Sequence, residues 1–158
     1  MYFIYIVFIT ILVIIDQLVK NAVVANIRLG QVIVLIKDFF NLTYVRNYGA
    51  GFSILQNATL FLSSLSVIAC FAMGYMLVTT DKKDIISKIS YLLIISGAIG
   101  NLIDRVKLGY VIDFLDFKIF GYDYPVFNIA DSFITVGCFI LIIKVILESR
   151  NASDKSKS

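Results

Sequence analysis

The 158 residues are 59% hydrophobic, with a mean hydropathy of +0.91, only 16% charged side chains and a formal net charge of +3. That balance excludes an ordinary soluble domain, in which about a quarter of residues are charged, and basic residues scattered without a stripe argue against a nucleic-acid partner. The chain contains no histidine, which removes Ser-His-Asp and Cys-His catalysis, HExxH zinc sites and histidine proton relays.

A helix that crosses a bilayer needs about 20 apolar residues, and the first candidate is residues 2–20, YFIYIVFITILVIIDQLVK. It lacks the basic n-region of a secretory signal and carries Asp16 where such a segment stays apolar, so it reads as a retained helix. Residues 31–56 follow, rich in β-branched and aromatic types (QVIVLI, FFNLTYV, GFSIL) and punctuated by Gly30, Gly49 and Gly51. That composition predicts short strands joined by turns. The second helix is expected over 60–79 and the third over 85–105. Between the third and fourth lies 107–125, where aromatics mix with acids up to the sole proline, as in an interfacial strand or amphipathic element. The fourth helix is expected over 128–147, with a disordered polar tail at 149–158. Cys70 and Cys138 fall inside apolar runs and read as small buried hydrophobes. The expected architecture is thus an all-α membrane protein with a small β element, one domain over 1–158. Open sheet edges are excluded from hydrocarbon, so both β-prone segments belong at or above the headgroups.

Up-down-up-down threading places the end of helix one (Asp16, Lys20), the end of helix three (Asn101, Asp104, Arg105) and the start of helix four (Asn128, Asp131) on one membrane face. Both long segments, carrying Asn47 and Asp113, hang from that face. The opposite rim has the short connection with Lys82, Lys83 and Lys88, and the positive-inside rule puts it and both termini in the cytoplasm. Arg28, Lys37, Arg46, Lys107 and Lys118 on the other side offset much of that bias.

Spacing sharpens the pattern. Asp16 and Lys20 are one helical turn apart in the orientation that favours an ion pair. Gly97, Asn101 and Asp104 share a face, as do Asn128 and Asp131. Ser96, Gly97, Ala98 and Gly100 permit close helix approach. With no histidine, two aspartates sharing a proton can activate water and protonate a leaving amine, with no metal and no nucleophilic thiol. The same polar residues also suit helix glue, with Asn128 as a cap and Asp104 as a partner of Arg105 or Lys20. A transport path or a non-catalytic scaffold are the competing classes.

Five blocks, 16-DQLVK-20, 47-NYGAGFS-53, 97-GAIGNLIDR-105, 109-GYVIDF-114 and 127-FNIADS-132, occur in the order found in the lipoprotein signal peptidases (signal peptidase II), which the chain resembles from about residue 10 to 145. The resemblance implies a four-helix bacterial cytoplasmic-membrane aspartyl endopeptidase with both termini cytoplasmic. It implies a periplasmic or extracellular β-cradle near 31–56, a mobile loop over the site within 107–125, and a site near the outer leaflet. Such an enzyme removes signal peptides from prolipoproteins just before a diacylglyceryl-modified cysteine. By motif, Asp113 and Asp131 match the catalytic pair. Asn47, Gly49, Asn101, Arg105 and Asn128 match residues that bind substrate or orient the pair; Asp16, Lys20 and Asp104 match structural support. The resemblance implies no cofactor and no metal, lipid-modified prolipoproteins and membrane lipids as partners, cyclic peptide antibiotics as inhibitors, and a monomer. NYGAGFS and VIDF depart conservatively from the commoner NNGAAWS and VVDF forms.

Overall fold

The computed structural model describes residues 2–49 and 58–155, with side chains as far as Arg150. In chain order the elements are α1 (Tyr2–Asn26), β1 (Val32–Ile36), β2 (Phe40–Asn47), α2 (Thr59–Thr79), α3 (Ile85–Leu108), β3 (Val111–Ile119), β4 (Tyr122–Asp123) and α4 (Ile129–Lys155). All four helices are long and apolar enough to cross a membrane. The protein is a multi-pass membrane protein with a small antiparallel sheet.

Helix α3 is the axis of the bundle. Of its apolar window 67% is buried, against 6%, 11% and 11% for α1, α2 and α4, so the other three turn most of their side chains toward lipid. Small side chains make the central position possible. A Cβ on Gly97 would lie 2.3 Å from the Ala130 carbonyl oxygen, and one on Gly137 would lie 2.8 Å from the Ser90 carbonyl oxygen. Backbone therefore meets backbone between α3 and α4, where lipid supplies no hydrophobic drive and van der Waals packing must hold the pair. The hydroxyls of Ser90 and Ser96 on this face donate to their own helix, to the carbonyls of Ile86 and Leu92, so neither is left unpaired.

The sheet has the order β1-β2-β3-β4, all antiparallel. Between the pairs Leu42–Leu115 and Val45–Asp113, two residues of β2, Thr43 and Tyr44, face one of β3, Phe114; the extra residue is a bulge, and Thr43 and Tyr44 are consecutively buried because of it. Val23 of α1 and Ile27, just past its end, pack with Tyr44, Ile112 and Phe114, which seats the sheet on the helix end. After β4 the chain pairs again with β3: Phe127 donates to the Leu115 carbonyl, and its own carbonyl accepts from Phe114 and Leu115. That short pairing delivers Asn128 and α4 beside Asp113.

Three expectations change. Helix α1 runs to Asn26, because NAVVAN holds no breaker before Gly30, whose φ is +76°. Within 107–125, α3 runs on to Leu108 and residues 111–123 form a hairpin, in line with the strand reading of its aromatics and acids and in place of the loop that the resemblance implied: β3 pairs with β2, and Phe120 and Gly121, both at positive φ, turn the chain. Helix α4 continues to Lys155 instead of giving way to disorder at 149, with Lys144 and Glu148 paired one turn apart and no glycine or proline to stop it. Of the predicted β segment, residues 50–56 lie outside the described residues, including most of NYGAGFS. Cys70 and Cys138 are free and half-buried.

Gly97→Ala should lower stability by about 1–3 kcal/mol through overpacking, read as a drop in thermal unfolding temperature in micelles. Gly74→Ala, where nothing lies within 4 Å, should leave it unchanged.

Candidate active site

The site is assembled from the ends of α1 and α3, the start of α4 and the first half of β3. Its foundation is Lys20, 1% exposed. The ammonium lies 2.9 Å from Asp16 Oδ2 and 2.9 Å from Asp104 Oδ2, and donates to Asn101 Oδ1 at 2.9 Å. Its three donors are thus matched by three acceptors. Asp16 and Asp104 spend their remaining lone pairs on other elements: Asp16 Oδ1 accepts the backbone N–H of Ala130 at 3.0 Å, and Asp104 Oδ2 that of Ile112 at 3.2 Å. One ion cluster so ties α1 to α3, to the first turn of α4 and to β3. Gln17 completes it, donating to Asp104 Oδ1 at 2.8 Å and to the Gly100 carbonyl at 3.2 Å. Asp104 is therefore the partner of Lys20 and not of Arg105; adjacent helix positions point about 100° apart.

Asn128 occupies the centre and is fully buried. Its side-chain carbonyl accepts the backbone N–H of Asp131 at 2.9 Å, and Asp131 Oδ2 accepts the backbone N–H of Asn128 at 3.2 Å. This is a reciprocal capping box at the start of α4. The side-chain amide of Asn128 donates to Asp113 Oδ1 at 2.7 Å and to Asn101 Oδ1 at 3.2 Å. Asp113 and Asp131 are thus both bonded to one residue, Asn128.

Each carboxyl has a second amide. Asn101 donates to Asp131 Oδ1 at 2.7 Å, and Asn47 donates to Asp113 Oδ2 at 2.9 Å while its own carbonyl oxygen accepts the N–H of Gly49. The Arg105 guanidinium reaches the Gly49 carbonyl at 3.4 Å and lies in the field of both aspartates. Asp113 is 2% exposed; burial first, and the charge of Asp131 second, push its carboxyl up to about 7. Asp131 is only partly buried and borders a cavity of about 450 Å³ walled by Pro125, Phe127, Ile134 and Val136. One flank of the pair is closed by amides and the other opens onto an apolar pocket.

All ten residues singled out from the sequence fall in this one network. The sequence reading passed over Gln17, whose signal was its place between Asp16 and Lys20. It also passed over Asp116, which accepts from Thr43 at 2.6 Å across β2 and β3.

Comparison with known proteins gives one answer. The sequence profile of the family described as signal peptidase (SPase) II matches residues 8–147. A lipoprotein signal peptidase of Streptococcus thermophilus (strain CNRZ 1066) is 47% identical over 138 residues, 87% of this chain and 88% of that one. Those of Clostridium tetani and Staphylococcus aureus are 44% and 36% identical, over 86% and 90% of this chain and 88% of each relative. A solved bacterial membrane enzyme, obtained by the in meso method at 2.3 Å resolution, superposes with a TM-score of 0.88 at 35% identity, covering 93% of this chain and 90% of that one. A second, at 1.9 Å, gives 0.81 at 36% identity, covering 89% and 91%.

Lys20→Met, which strands two buried carboxylates, should cost about 3–5 kcal/mol. In a thermal unfolding series, adding Asp104→Asn to that variant should recover part of the loss instead of deepening it.

Proposed function

The chain belongs to the signal peptidase II family and is a membrane peptidase, and from that premise we propose that it is an aspartyl endopeptidase acting on lipid-modified prolipoproteins, with Asp113 and Asp131 as the catalytic pair. The observation that carries the reading is the bonding of both aspartates to Asn128, which keeps two carboxyls adjacent in a buried setting where they share a proton.

In the proposed reaction the pair enters with one proton. The ionised carboxylate takes a proton from water as the water oxygen attacks the scissile carbonyl carbon, and the protonated carboxyl hydrogen-bonds the carbonyl oxygen as it gains charge. Collapse of the tetrahedral intermediate breaks the C–N bond, and a proton passes from the pair to the leaving amine. Asn47, Asn101 and Asn128 hold the carboxyls in place; Arg105 lies where it can bind substrate backbone or offset negative charge.

The assigned cut is just before the lipidated cysteine. Diacylglyceryl chains remain in the leaflet, so the bond beside that cysteine sits at headgroup depth, level with helix ends rather than helix centres. The apolar pocket beside Asp131 suits an apolar part of the substrate. Orientation follows the positive-inside rule: Lys82, Lys83 and Lys88 at the opposite rim assign that end and both termini to the cytoplasm, and the aspartates to the outer leaflet.

Asp113→Asn and Asp131→Asn should each lower cleavage of a lipidated preprotein at least about 100-fold while the protein still accumulates in membranes. The same preprotein without lipid should be cut poorly by the unmodified enzyme; substantial turnover by either variant, or equal cutting of both substrates, would overturn the reading.

A second expectation concerns pH. Because the folded protein holds the Asp113 carboxyl at about 7 rather than 3.8, the pair keeps its proton below neutrality and loses it as the pH rises through about 7. The kcat/KM of the free enzyme should therefore fall about tenfold per pH unit above about pH 7. A rate that stays flat to pH 9 would contradict a shared proton.

A further inference from the structure

At the end of the bundle away from the aspartates, the connection between α2 and α3 carries Lys82 and Lys83, and Lys88 follows within the first turn of α3. A cavity of about 410 Å³ lies there, lined by these three lysines, by Asp81, by Tyr2 at the start of α1 and by the last turn of α2. Lys88 is 5% exposed, and its Nζ has no hydrogen-bond partner among the described residues. The contrast with Lys20, which meets two carboxylates and an amide, is sharp.

The nearby acids are engaged elsewhere. Asp84 pairs with Lys144 and accepts the backbone N–H of Ser87, and Asp81 accepts the backbone N–H of Lys83. Among the described residues no ion pair engages Lys82, Lys83 or Lys88. A buried ammonium without a counter-charge is unfavourable, and a cavity with two further lysines at its mouth is built to receive an anion.

We propose that this cavity binds a phosphoryl anion against Lys88, with Lys82 and Lys83 closing over it, and that the source is the phosphodiester headgroup of an anionic phospholipid in the leaflet on that side. The site lies at helix ends, the depth of lipid headgroups. Beside it, Val78, Ile85 and Ile86 are exposed apolar side chains of α2 and α3, a surface for acyl chains that a soluble phosphate has no need of.

The test uses the full chain, purified in zwitterionic micelles, with added phosphatidylglycerol, phosphatidylcholine or inorganic phosphate; neither readout depends on cleavage. Phosphatidylglycerol should raise the unfolding temperature by about 3 °C or more, and native mass spectrometry should find a lipid retained; phosphatidylcholine should do neither. Lys88→Met should unfold no earlier than the parent in zwitterionic micelles, since it removes an unpaired charge, yet lose the response to phosphatidylglycerol. The surface variant Lys82→Gln/Lys83→Gln should fold normally and retain the anionic lipid about fivefold less. Equal shifts with both lipids, or a Lys88→Met protein that retains phosphatidylglycerol as the parent does, would overturn the site. A shift with inorganic phosphate as large as that with phosphatidylglycerol would keep the phosphoryl site and overturn its assignment to lipid.

Discussion

Everything at the polar rim depends on one buried cation. Lys20 bridges Asp16 and Asp104, and those two carboxylates, so fixed, hold the backbone N–H groups of Ala130 and Ile112. Ala130 precedes Asp131, and Ile112 precedes Asp113. The ion cluster thus grips the chain one residue before each aspartate. It also reaches the pair through side chains, since Asn101 accepts from Lys20 and donates to Asp131. In water such a cluster would contribute little; buried, with every carboxylate oxygen of Asp16 and Asp104 bonded, its geometry is over-determined, and that fixes two loosely related backbone segments against each other.

Charge balance bears on the chemistry as well. The network around the pair holds four carboxyls, Asp16, Asp104, Asp113 and Asp131, against two cations, Lys20 and Arg105. Lys20 is committed to Asp16 and Asp104, which leaves Asp113 and Asp131 with Arg105 and with amides. Amides are dipoles, not counter-charges, so ionising both members of the pair together is opposed by burial and by mutual repulsion. The pair therefore retains a proton into the neutral range, the state that the proposed water activation requires. The N-terminus of α4, capped by Asn128 and contacted by Asp16, adds a favourable field for the negative charge that remains.

How far this could be read from the sequence differs by scale. The four spans were legible because apolar runs of membrane length have no alternative fate, and the gathering of Asp16, Asn101, Asp104, Asn128 and Asp131 at one rim followed from threading alone. The capping role of Asn128 was legible from its place before an apolar run. The bulge at Thr43 and Tyr44 was not, because a one-residue shift in register is decided by what packs beneath the sheet, here Val23 and Ile27. Nor was the pairing of Phe127 with β3, a contact of a single residue whose signal in the sequence is one aromatic after the proline. That contact sets where Asp131 sits relative to Asp113. The hairpin at 111–123 was half legible: its mix of aromatics and acids suited an interfacial strand, but the partner strand lies more than sixty residues earlier, beyond the range of any local pattern.

The two ends of the bundle are separated by an apolar belt in which Leu77, Tyr91, Leu92 and Ile95 pack with Tyr5, Ile9, Met73 and Leu141. Ser90 and Ser96, the polar side chains of α3 nearest this belt, turn back onto their own helix, so the described residues form no polar path from Lys88 to Asn101. That arrangement suits a rim-facing enzyme and disfavours a transporter, which needs polar groups in succession across the bilayer. It also limits how the lysine cavity can act on the aspartates. Thirteen helical residues separate Lys88 from Asn101, roughly 20 Å along the axis, where two unit charges interact by less than about 1 kcal/mol at an effective dielectric constant near 20. An anion at Lys88 would therefore have little direct electrostatic effect on the pair, and the two ends of α3 act as separate sites.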